Sequence, residues 1–104
     1  MSALDQEFEG DVATEEHIEV KKPRPYNVIL YNDNYTTMEF VVLVLETIFH
    51  HPRPMAEKIM LDVHQRGKGV AGTYTRDIAE TKALQTRILA QEHHYPLKCV
   101  AEPA

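Results

Sequence analysis

Tryptophan is absent from this chain of 104 residues, and cysteine occurs once, at Cys99. A lone thiol excludes an internal disulfide and any zinc pattern built on paired cysteines. Its alternating apolar setting reads as a small buried hydrophobe, not a nucleophile. Glycine is scarce, with four residues, and none sits in a phosphate-cradling loop. Gly67, Gly69 and Gly72 read instead as a helix end, a turn and a close contact in a strand. No apolar run approaches the roughly 20 residues needed to cross a bilayer. The acidic amino terminus lacks the basic and apolar regions of a secretory leader. A reducing cytoplasm fits these absences.

Chemistry-bearing clusters are missing as well. There is no convincing Ser or Cys nucleophile motif and no metal set, so a hydrolase using His64 with Asp33 or Asp62 has little to stand on. No catalytic residue and no cofactor are expected. The pairs His50-His51 and His93-His94 fall near predicted helix ends, where the helix dipole and solvent account for them more simply than a metal.

What is present makes one small domain. A mass of 11.9 kDa supports a single core, and a hydrophobic content of 43% with only three Phe makes that core largely aliphatic. Charge is divided unevenly. Residues 1–20 carry seven acids (Asp5, Glu7, Glu9, Asp11, Glu15, Glu16, Glu19) and no Lys or Arg, whereas residues 21–104 are net +2. That weak positive balance, without an Arg/Lys stripe or aromatic RNA-binding motif, argues against nucleic acid as a partner. The tail has few large apolar residues and is expected to be disordered. Lys21-Lys22-Pro23-Arg24-Pro25 forms a stiff basic junction into the folded part. The division is therefore 1–24, tail and junction, and 25–104, the domain.

Periodicity and punctuation predict strand 26–32, helix 37–49, helix 54–66, strand 69–74, helix 75–92 and strand 97–102. Pro52 and Pro54 separate the first two helices, with Pro54 suited to an opening turn. Thr75 is a candidate cap for the third helix, with Asp77 and Glu80 in its early turns. The fold class is α+β, a small βααβαβ sandwich with a three-stranded antiparallel sheet covered by three helices. No membrane association is expected, and a monomer is expected.

Two stretches stand out for function. Asn32-Asp33-Asn34 breaks the first strand, because short polar side chains bond their own backbone in turns. Thr36 or Thr37 can cap the following helix, whose first apolar residues are Met38, Val41 and Val42. A cluster of oxygen acceptors thus lies beside an adaptable hydrophobic surface, which suits an ammonium joined to a large apolar group. On the second helix, Met60, Val63 and His64 share a face at i, i+3 and i+4. A neutral imidazole offers one acceptor, and Met adapts to several side-chain shapes. Individually, each residue is explained as turn or core.

Together they resemble a known signature. Tyr26-Asn27-Val28-Ile29-Leu30-Tyr31-Asn32-Asp33, then Tyr35-Thr36 and Met38-Glu39-Phe40-Val41, is similar to the ClpS family of adaptors that deliver N-degron substrates to a Clp ATPase–protease. The likeness continues through Met60-Leu61-Asp62-Val63-His64-Gln65-Arg66-Gly67-Lys68-Gly69, then Ala79-Glu80-Thr81-Lys82 and His94-Tyr95-Pro96-Leu97-Lys98-Cys99. It spans about residues 24–103 in family order. The resemblance implies a βααβαβ fold and recognition without chemistry, the ligand being a free N-terminus bearing Phe, Tyr, Trp or Leu. It implies that Asn32, Asp33 and His64 lie at or near the α-amino group, with Asn34 in the same turn. Thr36, Met38, Val41, Met60, Val63 and Leu97 match positions that shape the side-chain pocket. It further implies docking on the N-terminal domain of a ClpA-type ATPase through Asp77, Glu80, Thr81 and Lys82.

Two positions depart from the family pattern. A second acid is common where this chain has Asn34, and a proline is frequent where it has Thr37. The alternative reading is a general interaction domain similar to the C-terminal domain of the ribosomal stalk protein, which shares this architecture. That domain would not need Asn32, Met38 and His64 to converge.

Overall fold

The computed structural model describes residues 22–104. The acidic stretch of the expected tail lies outside those residues. Within them the chain runs β1 (Tyr26–Tyr31), α1 (Met38–Thr47), α2 (Arg53–Arg66), β2 (Lys68–Tyr74), α3 (Arg76–Glu92) and β3 (Lys98–Pro103). The expected βααβαβ order is observed, with all ends within two residues of the predicted ones. No helix among the described residues is long and apolar enough to cross a membrane.

The sheet is antiparallel with order β2-β1-β3, so the first strand is central. Alternation along β1 sorts its side chains onto two faces. Val28 and Leu30 are fully buried and join a core cluster with Phe40, Val44, Leu45, Ala56, Val63, Ala79, Ala83 and Cys99. All three helices contribute to that cluster, and they cover this one face. Truncating Leu30 to Ala would cost about 2–5 kcal/mol, the usual range for a buried leucine. The other face is a polar ladder around Ile29. Thr73 Oγ1 donates to Asn27 Oδ1 at 2.6 Å, Tyr31 OH donates to Glu102 at 3.1 Å, and the Lys98 ammonium lies 4.7 Å from the Tyr31 ring centre.

Local chemistry explains the element ends. Thr37 caps α1, its hydroxyl accepting from Phe40 N–H at 3.1 Å. That helix ends at Thr47, two residues short of the expected boundary, and His50 then turns back through a left-handed conformation. Pro52 and Pro54 flank the start of α2. Gly67 closes it at φ 90°, a conformation that favours glycine, and its N–H bonds Val63 O at 3.0 Å. Thr75 occupies the cap position of α3 without a side-chain bond to it. On β3, Arg87 from α3 donates to Cys99 O at 2.8 Å and ties the strand to that helix. Burial pushes the Cys99 thiol up to about 11, which keeps it protonated and inert.

Candidate functional site

The turn after β1 is built by one carboxylate. Asp33 Oδ1 accepts from Tyr35 N–H at 2.8 Å and from Thr36 N–H at 2.7 Å, while Oδ2 accepts from the Thr36 hydroxyl at 2.7 Å. Burial pushes this carboxyl up, but the backbone and hydroxyl of Thr36 and the N–H of Tyr35 together pull it below its ordinary value of 3.8. Asp33 is therefore an anion that holds its own loop in shape. The same loop is tied to α2, because Asn32 N–H bonds Gly67 O at 2.9 Å. Since Gly67 closes the helix that carries His64, this bond sets the turn beside the last turn of α2.

A cleft of about 470 Å³ opens between the turn, the start of α1 and one face of α2. Its polar side is formed by Asn32, Asp33, Asn34, Thr36 and His64, and its apolar side by Met38, Val41, Met60 and Val63. Among the described residues the side chains of Asn32, Asn34 and His64 have no hydrogen-bond partner, and all three are exposed. Met38 is 48% exposed, whereas Val41 and Val63 are buried and floor the cleft. The volume lies in the range of small-ligand sites. Chemically, the cleft offers acceptors and one negative charge at one end and adaptable apolar surface at the other.

All of the expected pocket residues border this cleft except Leu97. That residue is 5% exposed and belongs to the same core cluster as the floor residues Val41 and Val63. Two residues join the lining without having been expected there, Tyr35 and Thr37. Tyr35 is 75% exposed. A large aromatic inside an otherwise polar turn was the available signal for it. Thr37 is explained locally as the helix cap.

The four residues expected to meet a partner are divided. Asp77, Glu80 and Thr81 are exposed on the first turns of α3, and Glu80 pairs with Arg76 Nε at 3.2 Å. Lys82 behaves differently. Its Nζ donates to Ile48 O at 2.7 Å, just past the end of α1, and lies 5.4 Å and 5.8 Å from the ring centres of Tyr74 and Phe49. The ammonium thus satisfies a carbonyl left open at a helix end. A shallow groove beside it is lined by Asp77, Ile78, Thr81, Lys82 and Gln85, with Ile78 49% exposed.

The four histidines flanked by helix ends have structural surroundings. His50 and His94 take left-handed backbone conformations, the His51 ring meets Ala71 O, and the His93 ring packs at a tilt against Phe40 with centroids 5.1 Å apart.

Comparison with known proteins finds consistent relatives. Residues 21–100 match the family model described as ATP-dependent Clp protease adaptor protein ClpS. The chain is 52% identical over 92 residues to the ATP-dependent Clp protease adapter protein ClpS of Syntrophus aciditrophicus, covering 88% of this chain and 86% of that protein. It is 50% identical over 103 residues to the protein of the same name from Desulfatibacillum aliphaticivorans, covering 99% of each. Among solved structures, Agrobacterium tumefaciens ClpS2 bound to L-phenylalaninamide is similar with a TM-score of 0.77 and 38% identity. The likeness covers 80% of this chain and all of that one.

Proposed function

The chain belongs to the ClpS family of adaptors of the ATP-dependent Clp protease, and from that premise we propose that it captures proteins by a free N-terminus bearing Phe, Tyr, Trp or Leu. The observation that carries this reading is the convergence of unpartnered acceptors with an apolar floor in one cleft. Asn32, Asn34 and His64 receive the α-ammonium, directly or through water, and the Asp33 charge attracts it. Met38, Val41, Met60 and Val63 enclose the first side chain. That a relative of this fold is bound to L-phenylalaninamide, which carries a free amine and a benzyl group, supports the same assignment.

Magnitudes divide the work. Burying about 100–150 Å² of a first side chain contributes roughly 3 kcal/mol at about 25 cal/mol per Å². The polar end supplies selection. Acetylation removes the amine's charge and two donors, leaving desolvated acceptors unmatched at a cost of about 1–3 kcal/mol. No bond is made or broken in the ligand, so the protein acts as an adaptor and not as an enzyme. Delivery follows by docking on the N-terminal domain of a ClpA-type ATPase in the cytoplasm, through the face carrying Asp77, Glu80 and Thr81.

The test is fluorescence anisotropy with peptides differing only in the first residue or its acetylation. Free Phe-, Tyr-, Trp- and Leu-initiated peptides are expected to bind, and acetylated versions at least about tenfold more weakly. Equal binding of the two forms would overturn the proposal.

A further inference from the structure

Gly69 does not line the cleft and borders a separate groove with Ile29, Asp62 and Arg66, yet its Cα closely approaches Val63, which does line the cleft. Placed on β2 opposite Leu30, it faces the helices. A methyl group built on its Cα would stand 2.9 Å from Val63 Cγ2, 3.5 Å from Val63 N and 3.6 Å from Asp62 Cβ. The backbone of α2 is therefore at ordinary contact distance, and only the Val63 methyl is too close. Val63 is 2% exposed and floors the cleft. Its position is thus set from behind by a residue with no side chain.

We propose that Gly69 is a specificity-determining residue that acts through Val63, holding the floor of the cleft low enough for aromatic first residues. The argument rests on the cleft being the N-terminal side-chain pocket. Val63 is β-branched and has one strongly preferred helical rotamer, so it cannot swing aside cheaply. A methyl at position 69 displaces it away from β2 and toward the space the ligand fills. Conformation is not the reason for glycine here, since Gly69 lacks the positive φ that Gly67 has. Close approach is the reason.

The direction of the effect follows. A raised floor shortens the pocket, which penalises Trp and Phe more than Leu. One methylene's worth of space in such a pocket changes discrimination by about tenfold or more. Removing Val63 methyls lowers the floor and shifts preference the other way.

The experiment measures affinities of Trp-, Phe- and Leu-initiated peptides for wild type, Gly69→Ala, Val63→Ala and the double variant, with circular dichroism to check folding. Gly69→Ala is expected to lower the Trp:Leu affinity ratio about fivefold or more. Val63→Ala is expected to raise it, and the double variant to return it toward wild type. If Gly69→Ala does not fold, the Val63→Ala and double-variant comparison carries the test, because the added methyl then occupies space Val63 has vacated. A ratio unchanged in the folded variants, or no reversal in the double variant, overturns the role of Gly69. Equal wild-type binding of free and acetylated peptides would instead overturn the pocket assignment beneath it.

Discussion

Substituting Asp33 separates charge from architecture at the polar end of the cleft. Asp33→Asn keeps an oxygen to accept from Tyr35 and Thr36 N–H and an amide to meet the Thr36 hydroxyl, so the turn survives while the charge is lost. Asp33→Ala removes all three bonds. An ammonium about 5 Å from a carboxylate gains roughly 3 kcal/mol at an effective dielectric of 20. Water at this partly exposed site leaves about 1 kcal/mol, or roughly fivefold in affinity. Asp33→Asn is therefore expected to weaken a Phe-initiated peptide about fivefold at low salt, less at high salt, with little change in melting temperature. Asp33→Ala is expected to lose about 2 kcal/mol of stability, given the worth of hydrogen bonds to an ionised acceptor, and to bind more weakly again. The pH dependence has a definite sign. Because the folded carboxyl lies below its ordinary 3.8, the stability it contributes is complete above that value and is lost as pH falls through the lower, folded one. Calorimetry from pH 6 to 2.5 should show the wild type losing an increment that Asp33→Ala never had. Wild-type affinity in Asp33→Asn at low salt would refute the electrostatic argument, and an Asp33→Ala protein as stable as wild type would refute the architectural one.

Three further outcomes are expected. Met38→Ala should admit Ile- and Val-initiated peptides while keeping the need for a free amine, because Met38 stands at the cleft mouth where branching at Cβ widens the ligand; titration of a folded variant with unchanged preference would remove Met38 from the pocket. Asn34→Asp should tighten every preferred peptide, Leu proportionally most, by adding a charge beside the amine; identical affinities at low and high salt would show that Asn34 only completes the turn. Lys82→Met should lower the melting temperature by several degrees, since it leaves Ile48 O without its donor, a loss of about 1–3 kcal/mol; an unchanged melting temperature would show that the ammonium is no strut and is free for a partner.

Much of this molecule is legible in its sequence. The apolar period switches from two in β1 to helical after Thr37, and Pro52, Pro54 and Gly67 mark the breaks, so element order follows from local chemistry. Met60, Val63 and His64 share a face by spacing alone. The rest depends on tertiary geometry that spacing does not encode. That Asp33 spends both oxygens on its own loop follows from turn dihedrals. That Lys82 reaches inward to Ile48 O depends on where α1 stops, and α1 stops two residues early. Leu97 is buried in the same core cluster as Val41 and Val63, and how close it comes to the cleft depends on packing that spacing does not encode. The register shift between Val28 and Ile29, which lets both Ala71 and Gly72 lie opposite one residue, has no signature shorter than the strand pair itself.

The central place of β1 has a consequence for biosynthesis. This strand leaves the ribosome before every other described element, yet it is flanked on one side by β2 and on the other by β3, the last of them. Its second edge cannot be paired until β3 has emerged, after all three helices that cover its Val28 and Leu30 face. The turn carrying Asn32 and Asp33 hangs directly from that strand, so a nascent chain has all of the cleft residues long before it has the cleft. Pairing of such distant segments is slow compared with helix formation. A chain synthesised only through α3 therefore carries every cleft residue on a strand with one unpaired edge, and weaker engagement of substrate is expected until β3 pairs with it.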